Sequence, residues 1–61
     1  MDRILTVPEV AKYLKLDKST VYYMIQRKQI PHLKIGKSVR IRESDLLKWI
    51  EEKMIQPELG F

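Results

Sequence analysis

The 61-residue sequence contains no cysteine, only one histidine and no long apolar run. Without cysteine, the chain has no disulfide, no zinc-thiolate site and no thiol nucleophile. His32 lacks the companion ligands that a metal site needs, so we expect neither a metal nor a cofactor. The roughly 20 apolar residues that span a bilayer are absent, as is a signal-peptide pattern. We therefore expect a reduced, soluble, cytoplasmic protein without a membrane partner.

The charges are segregated along the chain, although the net charge is only +4. Residues 12–42 hold nine of the twelve basic side chains and one acid, Asp17, whereas residues 43–61 hold five acids and two lysines. A separated basic segment is typical of proteins that bind a polyanion. A solvated, lysine-rich surface has the same composition, so charge alone leaves both interpretations open.

The first local pattern predicts a short helix over residues 7–14. Thr6 and Glu9 are spaced as a capping box, in which each side chain bonds the other residue's backbone amide. Pro8 suits the first turn, where its missing amide proton costs nothing. The apolar residues that follow recur at helical spacing.

A second helix is predicted after Asp17, which is a suitable N-cap residue. We assign its inner face to Val21, Met24, Ile25 and the stem of Lys28. Because so few residues separate the two helices, they must cross at a steep angle. This arrangement is a helix-turn-helix.

A β-hairpin is predicted after Pro31, which stops the helical region. Apolar and basic residues alternate on both sides of a Gly36-Lys37-Ser38 turn. We assign the core-facing side chains to Leu33, Ile35, Val39 and Ile41. We assign the solvent-facing side chains to His32, Lys34, Arg40 and Arg42. Since an isolated hairpin is unstable, it must lie against the helices as a wing.

A third helix is predicted from Glu43, where the apolar period returns to 3.6 residues. Its apolar stripe is assigned to Leu46, Leu47, Trp49, Ile50 and Met54. We expect Pro57 to end the helix. The fold class is mostly α with a small β-hairpin, a winged helix-turn-helix in the order α-α-β-β-α. Residues 1–55 form one domain, and residues 56–61 are expected to be a flexible tail.

Several segments carry a family resemblance through their order and spacing. They are LTVPEVAKYL at 5–14, DKSTVY at 17–22, IP at 30–31, KIG at 34–36, VRI at 39–41 and DLLKWI at 45–50. Together they resemble the excisionase-type members of the MerR-like winged helix-turn-helix superfamily. The resemblance implies that the second helix enters the major groove of DNA and that the wing contacts adjacent DNA. The sequence departs from the family pattern at Lys15, where glycine is usual, and at Val39, where an aromatic residue is common.

The resemblance and the outward faces of the predicted elements define the candidate DNA-binding residues. On the turn and the second helix they are Lys15, Lys18, Ser19, Thr20, Tyr22, Tyr23 and Arg27. On the wing they are Lys34, Lys37 and Arg40. Structural alternatives stand beside them, because Ser and Thr also shape helix starts, Tyr22 can cover the wing, and charged side chains are often merely solvated. Trp49 is interpreted as a core anchor and His32 as a surface residue near the base of the wing.

We therefore expect a sequence-specific DNA-binding protein of the excisionase type, which assists site-specific recombination or regulates transcription. Its expected partners are double-stranded DNA and an integrase or recombinase, with weak or DNA-dependent self-association between neighbouring copies. No group of residues supports catalysis, so we do not expect an enzyme. A stand-alone transcriptional regulator is the alternative, and a protein-interaction adaptor that uses the basic face is an alternative of another class.

Overall fold

A computed structural model describes residues 1–57. Its elements are β1 (Ile4–Leu5), α1 (Val7–Leu14), α2 (Lys18–Gln26), β2 (Leu33–Ile35), β3 (Ser38–Arg42) and α3 (Glu43–Lys53). The predicted fold class and the order α-α-β-β-α are confirmed, with β1 as an addition. Residues 58–61, which make up most of the predicted tail, lie outside the described residues.

Helix α1 has the predicted bounds because its N-terminus is capped as expected. The Glu9 amide donates to Thr6 Oγ1 at 3.3 Å, and the Thr6 amide donates to Glu9 Oε1 at 2.8 Å. Behind this cap, Val7, Val10 and Ala11 are buried. Both components of the capping box are thus present, and the apolar face of α1 is directed into the core.

Helix α2 begins after Asp17, which occupies the predicted N-cap position. Its side chain makes no capping hydrogen bond, and the first turn is held by its backbone carbonyl, which accepts from Thr20 N at 3.0 Å. Val21 and Ile25 are buried as predicted. Three residues, 15–17, separate α1 from α2. The helix-turn-helix therefore has the short turn that forces its helices to cross.

The end of α2 corrects the prediction for Lys28. The helix stops at Gln26, and Lys28 lies beyond it with a left-handed φ of 56° and an exposed side chain. It therefore does not extend the inner face of the helix. The interpretation from the helical wheel was wrong because it continued the 3.6-residue period past the point where the backbone reverses.

The register of the wing, formed by β2, β3 and their loop, also differs from the prediction. The cross-strand partners are Leu33 with Arg40, Lys34 with Val39, and Ile35 with Ser38. Partners in an antiparallel pair project to the same face. Leu33 and Ile35 therefore share the outer face with Arg40, and the basic residues Lys34 and Arg40 lie on opposite faces.

The cause of this difference is the length of the loop. Ser38 already belongs to β3, which leaves a two-residue loop, Gly36-Lys37. Gly36 has a φ of 61°, which suits the first position of a type II′ turn. One residue fewer in a hairpin loop shifts the register by one, and this exchanges the two faces of a strand. Ile41 is buried as predicted, but Ile35 is 61% exposed.

Strand β1 widens the hairpin into a three-stranded sheet in the order β1-β3-β2. Leu5 pairs with Ile41, and both side chains are buried. Ile4 pairs with Arg42 on the outer face. A strand of two residues has no period to detect, which is why the sequence pattern did not predict it.

Helix α3 is anchored at its start by a distant residue. The Ser44 amide donates to Asp2 Oδ1 at 3.1 Å, and the Ser44 hydroxyl donates to the same carboxylate. Arg42, at the N-cap position, provides no side-chain cap. Asp2 therefore satisfies a backbone donor that no neighbouring residue in the chain caps.

The apolar stripe of α3 is narrower than predicted. Leu46 is fully buried, whereas Leu47 is 46% exposed. Met54 is also exposed and lies after the last helical residue, Lys53, so the helix ends before Pro57 is reached. Trp49 is partly buried, and its Nε1 donates to the Gln29 carbonyl at 2.9 Å. Trp49 thus packs against the core, as the predicted structural role requires, but it is not one of the buried core residues.

The core lies between the helices and the inner face of β3. Its buried residues are Leu5, Val7, Val10, Ala11, Val21, Ile25, Ile30, Ile41 and Leu46. Every element except β2 contributes to this set, so α2 and the wing are mounted on one shared apolar centre. This arrangement fixes the position of the wing relative to α2.

Candidate nucleic-acid interface

The exposed face of α2 carries polar and aromatic side chains. Ser19, Tyr22, Tyr23 and Gln26 follow the spacing of three and four residues that places side chains on one helical face. Tyr22 and Tyr23 are 53% and 52% exposed. All the candidate residues assigned to the turn and to α2 are exposed: Lys15, Lys18, Ser19, Thr20, Tyr22, Tyr23 and Arg27.

Arg27 and Tyr23 form a pair at the C-terminal end of this face. The Arg27 guanidinium carbon lies 5.5 Å from the centroid of the Tyr23 ring. A cation in this position is attracted by the electrons of the ring, by roughly 0.5–1 kcal/mol at an exposed site. The contact restricts the rotamers of both side chains before any ligand arrives.

Lys15 and Lys28 both adopt the left-handed backbone conformation, at the ends of α1 and α2. Their φ angles are 57° and 56°. Each helix closes with a Schellman motif, in which Leu16 N donates to Ala11 O at 2.9 Å and Gln29 N donates to Met24 O at 2.8 Å. Glycine is the usual residue at such positions, and a side chain there costs roughly 1–2 kcal/mol.

The departure from glycine at Lys15 was noted from the sequence, whereas the strain at Lys28 was not. No residue around Lys28 indicates a left-handed conformation in the sequence, because neither glycine nor asparagine is present there. Both positions place a lysine at a helix C-terminus, where a cation is favoured by the helix dipole.

The wing divides its basic residues between two faces and a tip. Lys34 lies with Val39 on the face directed toward α2, and Lys37 lies in the loop. Arg40 lies on the outer face, where it is partly buried and its Nη1 donates to the Val39 carbonyl at 2.7 Å. The structure thus places Lys34 next to α2. Arg40 lies on the opposite face of the wing, away from Lys34 and from α2.

A cleft of about 470 Å³ separates α2 from the wing. Its apolar surface comes from Ile25 and Val39, with Tyr22 as a wall. Lys28, His32 and Lys34 also line it. Tyr22 therefore contributes both to the exposed face of α2 and to the side of the cleft that faces the wing.

His32 is an exposed residue beside β2, in agreement with its predicted place near the base of the wing. Its Nδ1 lies 2.8 Å from the Ile30 carbonyl oxygen, a contact in which Nδ1–H donates. This hydrogen bond orients the imidazole at the cleft. Neither His32 nor Lys28 is among the candidate DNA-binding residues that the sequence indicated.

The ion pairs of the described residues lie away from α2 and the loop of the wing. Arg42 Nε donates to Asp45 Oδ2 at 2.8 Å, and this contact raises the pKa of Arg42. Arg3 Nη1 lies 3.8 Å from Glu43 Oε2. Within residues 1–57, no acidic side chain forms an ion pair with a lysine or arginine of the turn, α2, the cleft or the wing tip.

Two carboxylates at the N-terminal side of the molecule are also engaged. Donation from the Thr6 amide, and then from its hydroxyl, holds the pKa of Glu9 below its ordinary value. Donation from the Ser44 hydroxyl, and then from its amide, does the same to the pKa of Asp2. Both groups stabilise helix starts, so these acids have structural partners.

Residues 1–57 show neither a metal-binding cluster nor a membrane-spanning helix. In this part of the chain, no group of three or more His, Cys, Asp or Glu side chains is arranged to hold a metal ion. None of the helices described has the length and apolar character that crossing a membrane requires.

Comparison with known proteins identifies the family that the chain matches. Residues 4–54 match the family model described as a helix-turn-helix domain. The uncharacterized protein YvgK of Bacillus subtilis (strain 168) is 38% identical over 53 residues, which cover 85% of this chain and 17% of YvgK. The chain thus corresponds to less than a fifth of the length of this relative. No solved structure matches the chain significantly.

Proposed function

The chain belongs to the helix-turn-helix domain family, a family of DNA-binding domains, and from this premise we propose that it is a sequence-specific DNA-binding protein of the excisionase type. Helix α2 lies in the major groove, which admits one helix and presents a distinct donor and acceptor pattern for each base pair. The wing lies on the flanking backbone or in the minor groove, where basic side chains are favoured. The role is one of binding, without a catalytic step.

One observation carries this proposal: the polar, aromatic face of α2 adjoins a basic wing, and no ion pair among residues 1–57 neutralises the cations of the turn, α2, the cleft or the wing loop. An adaptor for an acidic protein would also use positive charge. However, α2 presents only two exposed aromatic side chains, Tyr22 and Tyr23, and no larger apolar cluster of the kind that anchors protein interfaces.

We assign two kinds of contact to the candidate residues. Base contacts are proposed for the outward residues Ser19, Thr20, Tyr22 and Tyr23 of α2 and for Arg27, which follows the helix. Phosphate or minor-groove contacts are proposed for Lys15, Lys18, Lys34, Lys37 and Arg40. With roughly five phosphates neutralised, the slope of log K against log salt concentration is expected near −4.5.

The proposal is tested by selecting bound duplexes from a random pool at two salt concentrations. A defined motif is expected, and Arg27→Ala should weaken binding to it by about 1–3 kcal/mol and relax the preference at one position. Lys48→Ala is the matched control, because Lys48 is an exposed cation on α3, outside the candidate interface. It should leave both affinity and motif unchanged.

Uniform weak binding to all duplexes, with equal losses for the Arg27 and Lys48 variants, would contradict sequence-specific recognition. Tyr23→Phe supplies a further check, since it keeps the ring beneath Arg27 and removes only the hydroxyl. Comparison with Tyr23→Ala separates the positioning of Arg27 from a contact of the hydroxyl itself.

A role in transcription is the second candidate, and the length of YvgK favours it. The matched segment makes up only 17% of that protein, so a related domain is joined there to a much longer chain. Such an arrangement suits a regulator with a separate sensing or assembly domain. Measuring the bend in the selected site, and locating the site relative to promoters and recombination sites, distinguishes the two roles.

Cooperation with an integrase or recombinase, and weak self-association on DNA, belong to the same proposal. Glu51 and Glu52 are exposed near the end of α3 and complement the basic surface of a neighbouring copy. Reversing both to Lys should reduce cooperative binding to adjacent sites while sparing binding to one site. Unchanged cooperativity, or a tight dimer without DNA in sedimentation, would contradict this mode of association.

A further inference from the structure

We propose that the cleft between α2 and the wing holds one sugar-phosphate strand of the bound duplex, and that Lys28 and Lys34 neutralise its phosphates. This inference rests on the proposed DNA-binding function and extends it to a site of defined chemistry. Lys28 was not among the candidate DNA-binding residues named from the sequence, and Lys34 was assigned there only to the wing as a whole.

The geometry of B-DNA supplies the first argument. Adjacent major and minor grooves are separated by a single backbone strand. If α2 occupies the major groove and the wing reaches the neighbouring minor groove, this strand must pass between the two elements. The cleft is the space between them, and its volume of about 470 Å³ is within the range of binding pockets, roughly 300–1,000 Å³.

The lining of the cleft supplies the second argument. A sugar-phosphate strand combines apolar C–H surfaces of deoxyribose with a charged phosphate. The cleft likewise combines the apolar surfaces of Ile25 and Val39 with the ammonium groups of Lys28 and Lys34. Among residues 1–57, no carboxylate lines the cleft, so the potential that these residues create there favours an anion.

The backbone at Lys28 supplies the third argument. Its left-handed conformation closes the Schellman motif of α2 and directs the chain toward the wing. Glycine would satisfy this conformation without strain but would provide no charge. Lysine at this position places a cation at the cleft, in addition to its favourable interaction with the helix dipole, at the cost of backbone strain that glycine would avoid.

The pairing register of β2 and β3 likewise directs Lys34 toward the cleft. The two-residue loop pairs Lys34 with Val39 and so turns the lysine toward α2. With the three-residue loop expected from the sequence, Lys34 would have projected from the opposite face. The wing thus directs one cation into the cleft at the cost of exposing Ile35.

The test uses the full chain and a duplex that carries the selected motif. Each phosphate in turn is replaced by an uncharged methylphosphonate, and affinity is measured by fluorescence anisotropy. One or two adjacent replacements should weaken wild-type binding roughly ten-fold, as expected for the loss of a charged contact. Lys28→Ala and Lys34→Ala should each weaken binding to the unmodified duplex to a similar degree, and should show little further loss on the modified one.

Salt dependence gives an independent readout. Because each phosphate contact contributes about 0.9 to the slope, the double variant Lys28→Ala, Lys34→Ala should lower its magnitude by about two. Lys48→Ala is the matched control and should leave the slope unchanged. Lys28→Ala retains an L-residue at the strained position, so circular dichroism should show an unaltered fold.

The outcomes separate this inference from the proposed function. If the wild-type chain binds no duplex, both are wrong. If it binds and Arg27→Ala weakens it, but the double lysine variant keeps its affinity and slope, only the cleft assignment is overturned. Inorganic phosphate is titrated in parallel and followed by the NMR signals of Tyr22 and His32. Saturation by free phosphate, with no effect of the lysine variants on DNA, would identify a small-anion site instead.

Discussion

The two regions of the molecule differ in whether their charged side chains have partners. Where β1 meets the start of α3, charged groups have partners: Asp2 with Ser44, Arg3 with Glu43, and Arg42 with Asp45. Across α2 and the cleft, the cations form no ion pair with any acid of residues 1–57, and two lysines occupy strained backbone positions.

This difference shows that stability and recognition are supplied by separate residues. The partners at the β1 and α3 end satisfy helix starts and fix the sheet. The cations at the α2 and wing end contribute little net stability, since the exposed Arg27–Tyr23 contact is worth only roughly 0.5–1 kcal/mol and the left-handed backbone at Lys15 and Lys28 costs free energy. Substitutions at the two ends should therefore affect different measurements.

The largest effect is expected at the shared core. Leu46→Ala removes a side chain that is fully buried, and the cavity should lower the free energy of unfolding by about 2–5 kcal/mol. Urea denaturation measures this change. The adjacent Leu47→Ala is the matched control, because Leu47 is 46% exposed and should cost at most about 0.5 kcal/mol. Equal losses at the two positions would contradict the observed face of α3.

A smaller effect, with opposite signs for folding and binding, is expected at Lys15. Lys15→Gly relieves the left-handed strain and should raise the free energy of unfolding by about 0.5–1 kcal/mol. The same change removes a cation and should weaken DNA binding a few-fold.

Lys15→Ala separates the two causes in that experiment. Alanine keeps the strain and removes the charge, so affinity should fall without a gain in stability. If Lys15→Gly stabilised the chain and left the affinity intact, the lysine would have no role in binding. If both variants were equally stable, the left-handed conformation would carry no measurable strain.

The smallest effect is the pH dependence of the paired end. The folded pKa values of Glu9 and Asp2 lie below the ordinary values of 4.5 and 3.8. Their stabilising contribution is therefore complete above those values and is lost as the pH falls through the lowered folded pKa values. Thermal unfolding should show decreasing stability on acidification below about pH 4.5. The double variant Glu9→Gln, Asp2→Asn should show a shallower decline, and an identical decline would contradict the assigned partners.

Local signals predicted the helical part of the fold. The capping box and the proline in the first turn placed α1 at its observed bounds, since both act through bonds between near neighbours. The short turn between the helices likewise implied their crossing. The register of the wing was not predicted because it depends on one residue of loop length, although the Gly36-Lys37 pair was compatible with a two-residue loop.

The sequence predicted which residues belong to the candidate site, but it did not predict how they are placed relative to one another. The sequence identified the exposed residues of α2, because a helical period shows which side chains leave the core. It could not show that Lys28 leaves the helix, that Lys34 and Arg40 lie on opposite faces, or that His32 joins a cleft. These facts depend on where two elements meet in space.

By itself, the sequence determined the segregation of charge, the capped start of α1 and the helix-turn-helix order, because each follows from contacts between residues close in the chain. Only the tertiary structure decided the pairing of β1 with β3, the cap that Asp2 provides for α3, and the cleft between α2 and the wing. Each of these joins residues far apart in the chain, and the shared apolar core is what holds them together.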